Sequence, residues 1–318
     1  SGVISAQPTW VDLTRDGVDD HQYFRGARWP LLGVAYPVLG GTAVLHFSSV
    51  LDQAYQGERP VTVQFPSGDL TATDLFDQDG SISSLSVGYA RMIGGRTAVG
   101  ARFGRYSGSV TRQLIRRFDP PPGSAPLEPY VVQSRWRYSG YSVTAGISSD
   151  VHQSVRLAAS ATWSTEIDAD ARGEDAQDLQ FTLPLEVRFG ASAVLTPGLV
   201  LVASGVWADW SETGADLGID AADTTLGYGA GLELAQATLF GRSAPLRFGY
   251  KRRELPFSPG PGRATEQSWA FGLALNLGQS GETVVASTDL AVERGSRSGG
   301  GYDEDFWRAT ASVSLSSF

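Results

Sequence analysis

The sequence predicts an all-β chain, a 14-stranded antiparallel transmembrane β-barrel with short periplasmic turns and long extracellular loops. Three observations predict it. Apolar and polar residues alternate with period two over most of the chain. The links between these segments are alternately short and long. The tryptophans gather toward one end of the segments.

The alternation is clearest where Leu179, Phe181, Leu183, Leu185, Val187 and Phe189 share one parity and polar or small residues fill the other. The same rhythm returns from Trp269 to Leu277, from Val155 to Trp163 and from Val284 to Val292. Such a period belongs to a strand with two different faces, and helical periodicity is almost absent. Fourteen segments follow, at about 3–11, 30–37, 41–49, 81–92, 96–112, 130–148, 153–167, 177–191, 198–211, 224–236, 244–254, 266–277, 282–294 and 304–317. Several exceed the length of about 5–6 residues usual for strands of soluble sheets.

Tight links follow the even-numbered segments: Val38-Leu39-Gly40, Ile93-Gly94-Gly95, Ser149 to His152, the stretches around Thr196-Pro197 and Phe240-Gly241, and Gly278 to Gly281. Longer links follow the odd ones, at 12–29, 50–80, 113–129, 168–176, 212–223, 255–265 and 295–303. This asymmetry is that of an outer-membrane barrel. Trp10, Trp29, Trp136, Trp163, Trp207, Trp210, Trp269 and Trp307 all fall toward the long-link ends, where an indole belt at the headgroup level is expected.

The non-lipid face carries Arg156, Glu166, Glu186, Arg188, Glu233, Arg247, Lys251, Asp289 and Glu293. Charges on that face exclude a dry core between two sheets and call for a hydrated lumen. Closure removes the open edges that hydrocarbon does not tolerate. No composition break divides the chain, so residues 1–318 are expected to form one barrel domain.

Composition excludes several functions. The 318 residues hold no Cys, three His, and 25 Lys+Arg against 34 Asp+Glu, a net charge of −9. Disulfide frameworks and thiolate sites are ruled out, and the acidity argues against nucleic acid as a partner. No cofactor and no metal site is expected. Asp77-Gln78-Asp79-Gly80 looks like part of a calcium loop but lacks its closing Glu. His46 with Ser48 does not assemble a catalytic set, so an enzyme is not expected. The start at Ser1 shows no signal peptide, as expected of a processed or trimmed chain.

Three stretches carry a resemblance that runs through most of the chain: Gly80–Gly108, Phe181 to Gly190 with the strand ending Trp207-Ala208-Asp209-Trp210-Ser211, and Leu246 to Phe257 with the two strands after it. They resemble the FadL-type outer-membrane transporters, the OmpP1/FadL/TodX family. The resemblance implies a bacterial outer-membrane location and passive uptake of hydrophobic molecules, long-chain fatty acids or aromatic hydrocarbons. It also implies capture among extracellular loops and sideways exit through a kinked strand. It further implies an N-terminal hatch, for which the strand beginning near Ser1 leaves no room, so the hatch is expected to be absent from this chain.

Candidate ligand contacts are the apolar residues of the longest links, Phe65, Leu75, Phe76, Leu114, Ile115 and Phe118, with Val61, Val63, Leu70, Pro120-Pro121-Pro122 and Leu127 around them. Arg112, in the series Arg102, Arg105, Arg112, Arg116 and Arg117, is the candidate partner for a ligand carboxylate. A bulge or kink is expected at Tyr138, Ser139 and Gly140, where Trp136 and Tyr138 break phase with Tyr141, Val143 and Ala145; it is a candidate lateral opening, with a curvature device in the wall as the favoured alternative. Pro184, inside a strand, is the second candidate. The acidic groups Asp16/Asp19/Asp20, Asp74/Asp77/Asp79 and Asp168/Asp170/Glu174/Asp175 read as solvated loop charge, bridged by divalent ions to lipopolysaccharide. Membrane lipid, lipopolysaccharide and a hydrophobic small molecule are the expected partners. Two rival readings stand beside uptake: a barrel that binds other envelope proteins in secretion or surface assembly, and a water-filled porin. Phe318 suits an insertion signal but lies out of phase with Leu315 and Val313.

Overall fold

The computed structural model describes residues 1–15, 18–52, 55–65, 68–119, 123, 125–173, 176–217, 222–239, 242–257, 263–280 and 283–316. Pro120-Pro121-Pro122, Glu174, Asp175, Asp16, the Phe240-Gly241 turn and Phe318 lie outside them. The strands are β1 (Gly2–Arg15), β2 (Val18–Val38), β3 (Gly41–Asp52), β4 (Tyr55–Phe65), β5 (Gly68–Ile93), β6 (Thr97–Phe118), β7 (Tyr130–His152), β8 (Val155–Ser164), β9 (Glu166–Arg172), β10 (Leu179–Thr182) and β11 (Glu186–Thr196). They continue as β12 (Leu199–Asp209), β13 (Thr224–Leu234), β14 (Thr238–Leu239), β15 (Arg242–Ser243), β16 (Leu246–Leu255), β17 (Ala264–Ser280), β18 (Thr283–Gly299) and β19 (Tyr302–Leu315), with one short helix, α1 (Ser211–Leu217), between β12 and β13.

The wall is a closed antiparallel barrel of fourteen strands. Every neighbour pair is antiparallel, and β1 pairs with β19 from Gly2↔Leu315 to Arg15↔Tyr302, which closes the ring. The fourteen segments expected from the sequence are β1, β2, β3, β5, β6, β7, β8, β11, β12, β13, β16, β17, β18 and β19. The remaining strands are additions: β4, β9 and β10 continue β3, β8 and β11 upward, and β14–β15 is a two-residue hairpin at the short-turn end. Tight turns use the positive-φ positions Leu39 and Gly40, then Gly94 and Gly95.

The two faces are the reverse of a soluble protein's. Leu32, Leu45, Leu85, Phe103, Phe189 and Phe271 stand about half exposed on the outer face. Ser84, Ser86, Ser142 and Ser268 are buried on the inner one. Left in water, so much apolar surface would oppose folding at about 25 cal/mol per Å²; hydrocarbon removes that cost. No helix among the described residues is long and apolar enough to cross a membrane, and the crossing is made by strands.

Much of what reads as loop is strand. Among the described residues of 12–29, 50–80 and 295–303 the ladders continue above the lipid-facing band. Above that band both faces meet water, so the apolar alternation fades while the hydrogen bonds persist. The rim rises as two blades. One holds β17, β18, β19, β1 and β2; the other holds β4, β5, β6, β7, β9 and β10. Between them, β2 pairs with β3 only from Leu31↔Ser48 downward. Above that level, among the described residues, β2 is laddered to β1 alone and β4 to β5 alone.

Candidate ligand site and wall interruption

The register sorts the candidate ligand residues onto two faces. Phe76 pairs with Leu114, Ala72 with Phe118 and Gln78 with Arg112, all on the parity that faces the lumen lower down. Phe65 joins them, with its ring edge-on to Phe118 at 5.9 Å. Val61, opposite Ala72, and Val132, opposite Leu114, extend the same apolar strip. Leu75 and Ile115 are a cross-strand pair on the opposite face of this ribbon, so they do not belong to that strip. The strip stands high: from Phe76 down to the turn at Ile93 is over 50 Å of strand at about 3.3 Å per residue. An apolar barrel band is only about 25 Å tall.

Charge in the blade is organised around Asp74. It is 1% exposed, covered by Arg116 at 2.6 Å and Arg59 at 3.6 Å rather than by bulk protein. The Arg116 hydrogen bond holds its carboxyl below the usual carboxylate range, against the opposing effect of burial. Asp74 is therefore an inner-face ion-pair member and not solvated loop charge; Asp77 and Asp79 do face outward from the blade. Of the arginine series, Arg102, Arg112 and Arg116 point inward, and Arg105 and Arg117 outward. Arg112 donates to Gln78 Oε1 at 2.9 and 3.1 Å and lies over the Trp136 ring at 5.4 Å.

The phase break expected around Tyr138, Ser139 and Gly140 is not a break in β7. Its pairing with β6 runs unshifted from Thr97↔Ser149 to Arg116↔Tyr130. Trp136 and Tyr138 are inward-facing aromatics on the same parity as Ser142. On the other side, Ser142 pairs with Ser164, Ser139 with Asp168, and Thr165 bonds Tyr141 in both directions at 2.9 Å. The irregularity is thus a bulge at Thr165; Tyr138 and Ser139 are paired on both flanks, and Gly140 with β6 alone. A Cβ at Gly140 would lie 2.5 Å from Ile167 Cδ1, so the Ile167 side chain would have to shift to admit one.

The ladder does lapse at Pro184. Glu186 pairs with Thr162 and Thr182 with Glu166, while Leu183-Pro184-Leu185 between them has no strand pairing. Proline supplies no N–H for a ladder bond. The run Leu179–Phe189 consequently switches faces: Phe181 and Leu183 pack inward, and Phe189 faces out. Inside, Ile82, Tyr106 and Ile167 form a buried cluster against Tyr138, Phe181 and Leu183. The free edge of β10 is held by α1, with Asp216 accepting from Thr182 N at 2.7 Å and Thr213 donating to Thr182 O. By register, the lapse sits beside Trp163, one of the outward-facing indoles. Trp10, Trp29, Trp163, Trp269 and Trp307 expose between 41% and 61% of their surface on the outer face. Trp136 instead points inward, and Trp210 packs on Phe257 at 5.5 Å.

The opposite wall is polar. Glu266, fully buried, receives Arg297 at 2.7 Å, Arg253 at 3.0 Å and Arg308 at 3.3 Å on one oxygen, with Lys251 3.6 Å from the other. Lys251 and Arg308 also meet Glu293, and Arg297 meets Glu304. Lower down, Arg247 bridges Glu233 and Asp289. Of the charges expected inside, only Glu166 turns outward, because the Thr165 bulge shifts the parity. Sequence alternation did not reveal that Glu266, Arg253, Arg297 and Arg308 converge; only the closed register brings four strands' worth of charge together. His46 faces inward, its Nδ1 3.4 Å from Ser86 Oγ and from Arg102. Among the described residues no cluster of His, Asp and Glu could hold a metal ion.

These features define a class: a transmembrane β-barrel of fourteen strands with an apolar strip on its raised inner rim. No family model matches the chain, and no curated protein matches its sequence. Among solved structures it is similar to the Ralstonia pickettii toluene transporter TbuX, 12% identical with a TM-score of 0.61 over 98% of this chain and 88% of that one. It is likewise similar to the Pseudomonas putida toluene transporter TodX, 13% identical, TM-score 0.59, over 98% and 88%. A Pseudomonas aeruginosa FadL homologue matches at 10% identity, TM-score 0.53, over 98% and 88%. At such identities the likeness is one of fold: the chain has the architecture of the FadL-type barrels, and these neighbours are transporters or channels.

Proposed function

We propose that this chain is a bacterial outer-membrane channel for passive uptake of hydrophobic compounds, of the acyl or aromatic hydrocarbon class. One observation carries the reading: a series of apolar inner-face side chains, interrupted by the Asp74–Arg116 and Arg112–Gln78 pairs, leads from the rim toward the lapse in the wall. It starts at Phe65, Phe118, Phe76 and Leu114, passes Trp136, and reaches Tyr138, Phe181 and Leu183. It ends at Leu183-Pro184-Leu185, beside Trp163. A hydrophobic solute captured above the membrane can step from one apolar group to the next along this face. It can then leave sideways where backbone pairing does not bar the way. Arg112, held by a neutral Gln78, stands where an acidic headgroup on such a solute would lie.

The test compares two neighbouring positions. Phe76→Arg puts a charge on the inner strip; Leu75→Arg puts it on the other face. Uptake of labelled toluene and of labelled oleate into proteoliposomes is expected to fall several-fold in the first variant and to stay near the parent's in the second. Equal uptake by Phe76→Arg and the parent for both solutes overturns the reading.

A further inference from the structure

We infer that the lumen has a second, aqueous function: it passes small hydrated anions in preference to cations. The chain as a whole is acidic, at −9, yet the inner face carries an excess of guanidinium and ammonium groups at successive depths. Near the rim is Arg112, whose side-chain hydrogen bonds go to the neutral Gln78. Deeper on the opposite wall, four cations around Glu266 share three carboxylates, Glu266, Glu293 and Glu304. Deeper again on β6 is Arg102, bonded to His46 and Thr144 and, among the described residues, to no carboxylate. Arg112 and Arg102 lie on one face of β6, roughly 33 Å apart along the strand at its usual rise.

The lower lumen has room for water beside these charges. Its inner lining is largely small residues, among them Gly88, Gly100, Gly146, Ser160 and Gly190, around a cavity of about 520 Å³ into which Arg102 and Arg188 project. A second cavity, of about 510 Å³, borders Arg247 and Lys251 on the far wall, with Glu233 and Asp289 balancing them there. Acidic groups of the blades, such as Asp77, Asp79, Glu166 and Asp168, point away from the passage. A hydrated ion in transit therefore meets the unbalanced positive charge of Arg112, of the Glu266 cluster and of Arg102. A unit charge about 8 Å away in water changes local ion concentration about twofold.

The experiment is planar-bilayer recording of purified chain 1–318 in a tenfold KCl gradient. The zero-current potential is expected to show a chloride-to-potassium permeability ratio above one. Arg102→Gln combined with Arg112→Gln is expected to lower that ratio about two- to fourfold. Arg117→Gln, on the outer face of the same strand, is expected to leave it unchanged. A parent ratio at or below one, or the absence of a steady conductance, overturns the inference. The sign of the parent's potential decides even where the double variant does not refold. Hydrophobic uptake is measured separately, so either function can fail without the other.

Discussion

Asp74 shows what one side chain can do in a thin sheet. Two arginines enclose it, and a carboxyl whose pKa is lowered on folding adds stability above the ordinary carboxylate range near 4. That contribution is lost as pH falls through the lowered value. Asp74→Asn removes the shared carboxylate from Arg59 and Arg116. Amide exchange over residues 56–78, corrected for intrinsic rates, is expected to quicken in the variant at pH 7. The difference from the parent should shrink below pH 4. Identical exchange at pH 7 would show that the pair does not hold the hairpin. Ile167 is the apolar counterpart, fully buried against Tyr106 and Tyr138. Ile167→Ala is expected to cost about 2–4 kcal/mol in urea unfolding. A cost under about 1 kcal/mol would mean that the cluster collapses into the space.

At the scale of elements, the sequence pattern was legible where one face meets lipid and illegible where it does not. Phe189, Leu85 and Phe271 announce their strands because their neighbours in sequence are small or polar. Leu179 to Leu185 misleads, because inward Phe181 and Leu183 happen to keep the parity of outward Phe189 across the lapse at Pro184. Trp136 misleads in the same way: an indole inside the rim reads like an indole in the belt. The ion cluster at Glu266 is invisible in one dimension, since its members come from β16, β17, β18 and β19. The lapse itself invites a direct test, as the chain has no cysteine to interfere. Ser164 and Pro184 fall opposite one another by register. In Ser164→Cys/Pro184→Cys, a short bifunctional thiol reagent is expected to lower hydrophobic uptake, and a reducible version of it to restore uptake on reduction. Full uptake with complete cross-linking would move the exit elsewhere.

For the whole molecule, the inverted distribution of apolar residues makes stability depend on which face is altered. Leu45 is outward, about half exposed, and a few residues above the Leu39-Gly40 turn, near mid-thickness of the band. Leu45→Arg in lipid vesicles is expected to destabilise the barrel by about 2–4 kcal/mol. Its inward neighbour Val44 borders the 520 Å³ cavity, and Val44→Arg is expected to cost far less. Equal penalties at the two positions would contradict the assignment of faces.

The divergence of β2 from β3 above Leu31↔Ser48 has a mechanical meaning. The rim is two leaves standing on one hoop, and along that slit they share no ladder among the described residues. A body wedged between the leaves could spread them without rupturing a single sheet bond, while the hoop beneath keeps its circumference. Freedom to part at the top and closure of the wall are thereby assigned to different storeys of the same barrel.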